Sequence, residues 1–167
     1  MFGVGLFVVV ILVAVTSVWY GLGPKGQQVA EQQSTTIRLY NLPPGDPTLT
    51  TCISQSEIVM RLQVNLRIAI NGTDIKIPAR IGLSSDCTRP IHTRDASGTI
   101  YVESPVDYPY TLRDFFAVWN QIFSKDRLLF LRASGSHRIV MTVNGQPNTD
   151  YENHVLHDGE QIVISYT

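Results

Sequence analysis

Apolar and polar positions alternate most clearly in "EIVMRLQVNLRIAING". Ile58, Met60, Leu62, Val64, Leu66, Ile68 and Ile70 take every second place, with Arg61, Gln63, Asn65 and Arg67 between them. A period of two predicts a strand with one face in a core. Asn71-Gly72 follows, a pair that readily adopts the positive φ of a tight hairpin turn. Ile75, Ile77, Ala79 and Ile81 then alternate again, so residues 58–82 are expected to form a hairpin. "TIYVES" reads as a further short strand, and "HRIVMTVNG" as a strand ending in a second Asn-Gly turn. "QPNTDYENHVLHDGEQIVISYT" predicts a polar return, an Asp-Gly turn and a last strand. That strand sets Ile162, Ile164 and Tyr166 on one face and Val163 on the other.

One stretch changes period. In "YTLRDFFAVWNQIF", Leu112, Phe115, Phe116, Trp119, Ile122 and Phe123 fall at helical spacing, which predicts an amphipathic helix packed on the sheet. Thr111 is the expected N-cap, with Asp114 three residues on in the place of a capping-box Glu. "RLLFLRAS" fits a strand or an extension of this helix, and its pattern does not separate the two. The fold class expected is therefore α+β, a β-rich domain with one helix on a mixed sheet.

The N-terminus has neither period. From Phe2 to Tyr20 no residue is charged, and Trp19 and Tyr20 close the run. At about 1.5 Å per residue a helix of this length matches a bilayer's hydrocarbon core, and aromatic rings favour its interface. A cleaved export signal is the alternative. Against it, no Lys or Arg precedes the apolar run, and the aromatic pair stands where a small-residue cleavage motif would follow. Residues 1–23 are thus read as a transmembrane signal-anchor helix. Residues 24–50 form a Gly- and Gln-rich linker and extended arm, and residues 51–167 the β-rich domain.

Charge narrows the partners. The 167 residues include 13 Lys and Arg against 14 Asp and Glu, with no basic run, so nothing offers nucleic acid an electrostatic footprint. The loop charges scarcely orient the anchor, and Lys25 even leans toward a cytoplasmic C-terminus. The cysteines lean the other way. Cys52 and Cys87 are the only two, and an even count fits one disulfide in an oxidising, extracytoplasmic compartment. Asn71-Gly72-Thr73 is a glycosylation sequon on an expected turn.

The densest chemistry lies in "IHTRDASGTIYVESP". His92 and Asp95 are metal-ligand types, suited to copper or zinc, but two ligands are few and Arg94 between them would repel a cation. Cys52 and Cys87 would add ligands only if reduced. Ser97 beside His92 and Asp95 contains the residue types of a catalytic triad without a spacing that implies its geometry. The other reading is a tied loop. In it Asp95 accepts backbone N–H bonds in the Asp95–Gly98 turn, Arg94 pairs with Glu103, Asp107 or a partner protein, and His92 donates to a carbonyl. His154 and His157 flank a Val-Leu pair and are expected on a solvated surface. Phosphate loops, dinucleotide fingerprints and haem attachment motifs are absent from the sequence, and no enzyme is read from it.

Two resemblances add to this. "TVNGQPNTD" followed by "VLHDGEQIVISY" resembles the closing strands of β-grasp proteins, ubiquitin-like sulfur carriers among them, which implies one helix on a mixed sheet. The chain ends Ser165-Tyr166-Thr167 instead of Gly-Gly, so the sulfur-carrier chemistry is not implied. Second, "IHTRDASGTIYVESP", "YTLRDFFAVW" and "DGEQIVISY" together are similar to a family of exported proteins associated with ammonia-oxidising archaea and some bacteria. Its motif reads His-Thr-His-Asp; His92, Thr93 and Asp95 match, and Arg94 departs from it.

The expected function is a non-catalytic, single-pass accessory subunit of a larger membrane complex, held in lipid and against other subunits by the N-terminal helix. Gly3, Gly5, Ala14, Thr16 and Ser17 in that helix allow close packing with neighbours. The resemblance implies an ammonia monooxygenase complex, with copper held elsewhere. The alternative is an extracytoplasmic copper or zinc binding or delivery protein using His92 and Asp95.

Overall fold

The computed structural model describes residues 42, 43, 46–53 and 57–167. The expected anchor, residues 1–23, and most of the expected linker lie outside them. Among the described residues no helix is long and apolar enough to cross a membrane. The described residues have an α+β architecture, mostly sheet, with one α-helix on a mixed sheet.

The long alternating segment forms β1 (Met60–Ile70), the centre of the main sheet. Leu62, Val64, Leu66 and Ile68 are buried, and Arg61, Gln63 and Arg67 are exposed, as its period requires. β2 (Thr73–Ile75), β3 (Ile91–Thr93) and β4 (Thr99–Ser104) follow in the chain. Beyond the helix come β8 (Ile139–Val143), β9 (Gln146–Asn148) and β10 (Gln161–Tyr166). The strand order is β3-β4-β1-β10-β8-β9, with β2 also on β1. β1 pairs antiparallel with β4 along Met60–Asn65 and parallel with β10 along Asn65–Ile70. One edge of β1 is thus completed by β4 and then β2, while β10 supplies the other.

The expected 58–82 hairpin is real but short. Asn71 and Gly72 take the positive φ of the turn, yet the return strand ends at Ile75. From Leu66 back this edge of β1 is taken by Gly98 and β4, so the ladder with the return strand stops there. Ile77 and Ile81 still reach the core, while Ala79 is exposed. Thr93 holds this departing segment: its Oγ1 donates to the Pro78 carbonyl at 2.9 Å and accepts from Ile81 N at 3.0 Å.

The helix, α1 (Leu112–Val118), starts where expected: Thr111 N donates to Asp114 Oδ2 at 2.7 Å. It stops a turn earlier than its apolar spacing suggests. Asn120 enters the left-handed region at φ 56, a conformation that asparagine tolerates at helix ends. Ile122 and Phe123 therefore leave the helix, although Phe123 stacks on Phe116 and stays in the core. "RLLFLRAS" resolves as a strand hairpin, β6 (Arg127–Leu128) and β7 (Leu131–Arg132), which with β5 (Phe123–Ser124) makes a small second sheet. Leu112, Phe115 and Phe116 join Leu62, Val64, Ile100, Val102, Ile162 and Ile164 in one core.

Part of the expected arm packs on this body. Leu42 is buried with Ala117, alongside Leu49 and Ile122. Asp46 is buried too, accepting from Tyr108 Oη at 3.1 Å and from Thr48 N at 2.8 Å. Six residues on, Cys52 forms a disulfide with Cys87 across a separation of 35 residues.

Candidate functional site

β1, β3 and β4 carry their apolar residues inward, so their intervening positions share the opposite face. In register, His92 lies beside Tyr101, Gln63 beside Tyr101, and Arg61 beside Glu103. Arg94 follows His92 by two residues, as Glu103 follows Tyr101. The pleat therefore collects an imidazole, a phenol, a carboxylate and two guanidiniums on one outer patch. They line a cleft of about 850 Å³, with Asp158 at its border accepting from Gln63 N at 2.8 Å.

Within this outer patch His92 and Glu103 are nonetheless sheltered, while Arg61 and Arg94 stay exposed. The loop from Gly82 to Arg89 runs beside His92, and its Leu83 and Thr88 line the same cleft. The approach is close: a Cβ on Gly82 would stand 3.2 Å from His92 Cβ and 2.8 Å from Ile91 O. The disulfide ties this loop down through Cys87. His92 is left only 1% exposed and Glu103 7%.

Glu103 is the hub. Its Oε2 accepts from Arg94 Nη2 at 3.0 Å and stands 3.7 Å from His92 Nε2, and its Oε1 lies 4.0 Å from Arg61 Nη1. The Arg94 guanidinium also lies 4.2 Å above the Tyr101 ring, whose other neighbour is the His92 imidazole at 5.8 Å. His92 Nδ1 is 3.1 Å from the Arg89 carbonyl, which makes it the donor nitrogen. Burial holds the His92 pKa below its ordinary value, and nearby Arg94 acts the same way; the bond to Arg89 and the Glu103 charge oppose them.

The other residues of the motif stand apart from this hub. Asp95 is exposed and accepts from Ser97 N at 2.9 Å, an Asx turn. Bonds from Ser97, side chain first and backbone second, hold the Asp95 pKa below its ordinary value. Ser97 Oγ bonds to Thr99 Oγ1 at 2.9 Å. Asp95 and Ser97 thus engage each other while His92 engages Arg89 and Glu103, which is not the relay a triad needs.

The metal reading meets specific obstacles. Cys52 and Cys87 are joined and cannot ligate. Arg94 occupies the Glu103 oxygen nearest His92. Among the described residues no group of three or more His, Cys, Asp or Glu side chains is placed to hold an ion.

A second histidine differs from expectation. His154, read as solvated, is buried, with Nε2 3.0 Å from Glu160 Oε2; the same oxygen accepts from His157 N at 3.0 Å. Val155 bridges to Thr111, and Leu112 N donates to the His154 carbonyl, so the segment is pinned to the start of α1. His157 is exposed. Arg61, Tyr101 and Glu103 were readable as polar positions within alternating strands, but only strand pairing brings them to His92. Comparison of the chain with protein-family models, with characterised proteins and with solved structures finds no match.

Proposed function

We propose that this protein is a membrane-anchored, non-catalytic accessory subunit whose domain caps the extracytoplasmic face of a larger membrane complex. The observation that carries the reading is the Cys52–Cys87 disulfide, which suits an oxidising compartment and clamps the arm from the N-terminal apolar run onto the sheet. Asp46 and Leu42 add to that clamp. A domain fixed to its arm this way transmits the position of an anchor to a cap. The chemistry-bearing residues of the loop support the same reading, because Arg94, Glu103, Asp95 and Ser97 bond to one another within the chain.

The parallel β1–β10 pair with one helix in the crossover supports the finer reading of a β-grasp domain. An ammonia monooxygenase complex, as the sequence resemblance implies, is the named candidate for the host, with copper in other subunits. Purification from native membranes in mild detergent tests the proposal. Co-migration with larger membrane subunits is expected, and a clean monomer overturns it.

A further inference from the structure

The second sheet holds an arrangement that the cap does not use. β6 and β7 form a hairpin whose two turn residues are Leu129 and Phe130. Leu129 takes φ 56, a region that costs a leucine backbone strain. Its side chain is buried and its N–H donates to Ile122 O at 2.7 Å. Phe130 consequently points outward at 81% exposed, the most exposed of the large apolar side chains described.

Below this tip, Arg127 and Arg132 are directly opposite in register. Like charges facing across a strand pair destabilise it unless an anion lies between them. Arg127 Nε is buried with no hydrogen-bond partner. Among the described residues no carboxylate comes within 4.0 Å of Arg127, Arg132 or Arg138; Asp126 pairs with Lys125 instead. Residues 123–138 hold four of the chain's 13 basic residues and one of its 14 acidic ones, so this stretch carries +3 in a chain of net charge −1.

Its position matters as much as its charge. Ile122, which accepts the Leu129 bond, packs against the cluster of Leu42 and Ala117. The hairpin therefore springs from the place where the chain from the apolar N-terminal run reaches the domain.

We propose that the β6–β7 hairpin contacts an anionic bilayer surface, with Phe130 entering the interface and Arg127 and Arg132 holding lipid phosphates. An aromatic tip gains from the interface while guanidiniums pair with phosphate oxygens, the two elements of peripheral membrane contact. The inference rests on the reading of the chain as membrane-anchored, which sets the hairpin beside lipid.

The test uses the full chain carrying Phe130→Trp in nanodiscs of phosphatidylcholine with or without phosphatidylglycerol, with the unsubstituted chain subtracted for Trp19 and Trp119. In anionic discs the added indole should shift to the blue and be quenched by brominated acyl chains. Adding Arg132→Glu should remove most of the blue shift and acyl-chain quenching in anionic discs, bringing position 130 to its behaviour in phosphatidylcholine alone. An indole still open to aqueous quencher in anionic discs overturns the inference while leaving the anchor intact. A chain that does not stay in the discs overturns the anchor. The same readout with vesicles of that composition then decides the hairpin separately. Protection only in native membranes, and not in lipid alone, overturns the inference in favour of a protein contact. Binding of inorganic phosphate with no change at position 130 overturns it in favour of a free anion.

Discussion

Arg94 Nη2 lies 3.0 Å from Glu103 Oε2, a bond between a side chain 50% exposed and one 10% exposed. The residue that breaks the His-Thr-His-Asp pattern thus fills the carboxylate oxygen beside His92. Exposed ion pairs contribute little, so Arg94→Ala should cost about 0.5–1 kcal/mol, including its contact with Tyr101. Glu103→Ala removes the shared acceptor of the cluster and should cost about 2 kcal/mol. Urea titration of both variants checks the order, and a larger loss for Arg94→Ala would refute the hub.

Arg94→His is a different test of the same position. Residues 92 and 94 lie two apart on one face, so the variant places a second imidazole beside His92 and Glu103 in place of a fixed cation. Calorimetric titration with zinc should show binding by the variant and none by the unsubstituted protein. Tight zinc or copper binding by the unsubstituted protein would instead favour the metal-delivery reading.

Asp114 makes stability depend on pH in an unusual direction. It is 2% exposed and lies within the field of the Asp46 carboxylate. Burial, and after it the Asp46 charge, push its pKa from 3.8 up to about 7, against the bonds from Thr111. The folded value exceeds the unfolded one. Its contribution is therefore fully present below pH 3.8 and lost as pH rises through about 7. His92 works oppositely: its lowered folded value contributes stability above pH 6.5 that is lost as pH falls. A melting-temperature profile should accordingly fall on the alkaline side of neutrality. Asp114→Asn, which keeps an acceptor for Thr111, should flatten that limb. An alkaline limb unchanged in the variant would show that other groups cause it.

The disulfide closes a separation of 35 residues, and its loss should reduce stability by about 3–4 kcal/mol through the entropy of the unfolded chain. The double variant Cys52→Ser, Cys87→Ser, followed by denaturant unfolding, measures this. Protease cleavage between residues 46 and 53 should rise with it, because the arm loses its covalent tie and keeps only non-covalent ones, such as Ile53 N to Thr88 O and the contacts of Asp46 and Leu42. Unchanged cleavage would mean that those contacts suffice.

Two glycines with positive φ should respond very differently to alanine. At Gly98, φ 86, an added Cβ would lie 2.4 Å from the Leu66 carbonyl oxygen, so Gly98→Ala should cost more than about 2 kcal/mol. At Gly145, φ 77, the Cβ meets nothing within 4 Å, and Gly145→Ala should cost about 1 kcal/mol from backbone conformation alone. Equal losses at the two sites would deny that backbone crowding at β1 sets the turn.

Local periodicity determined much of this molecule. The alternation of β1 and β10, the Asn-Gly turns and the Thr111–Asp114 helix start were legible because neighbours along the chain decide them. So were the contacts of the Asp95 turn, whose partners lie two residues apart. The helix was overread by a turn because Phe123 serves the core equally well from a strand, and apolar spacing cannot distinguish the two. Tertiary structure alone decided the rest: that β1 lies parallel to β10, that Arg61 and Glu103 meet, that His154 is buried against Glu160, and that Asp46 reaches Tyr108. The Gln63–Asp158 bond spans 95 positions, and the Tyr108–Asp46 bond 62. Such pairings depend on strand order and on which faces close over one another. Those are set by burying the whole core at once, so no local stretch of residues encodes them.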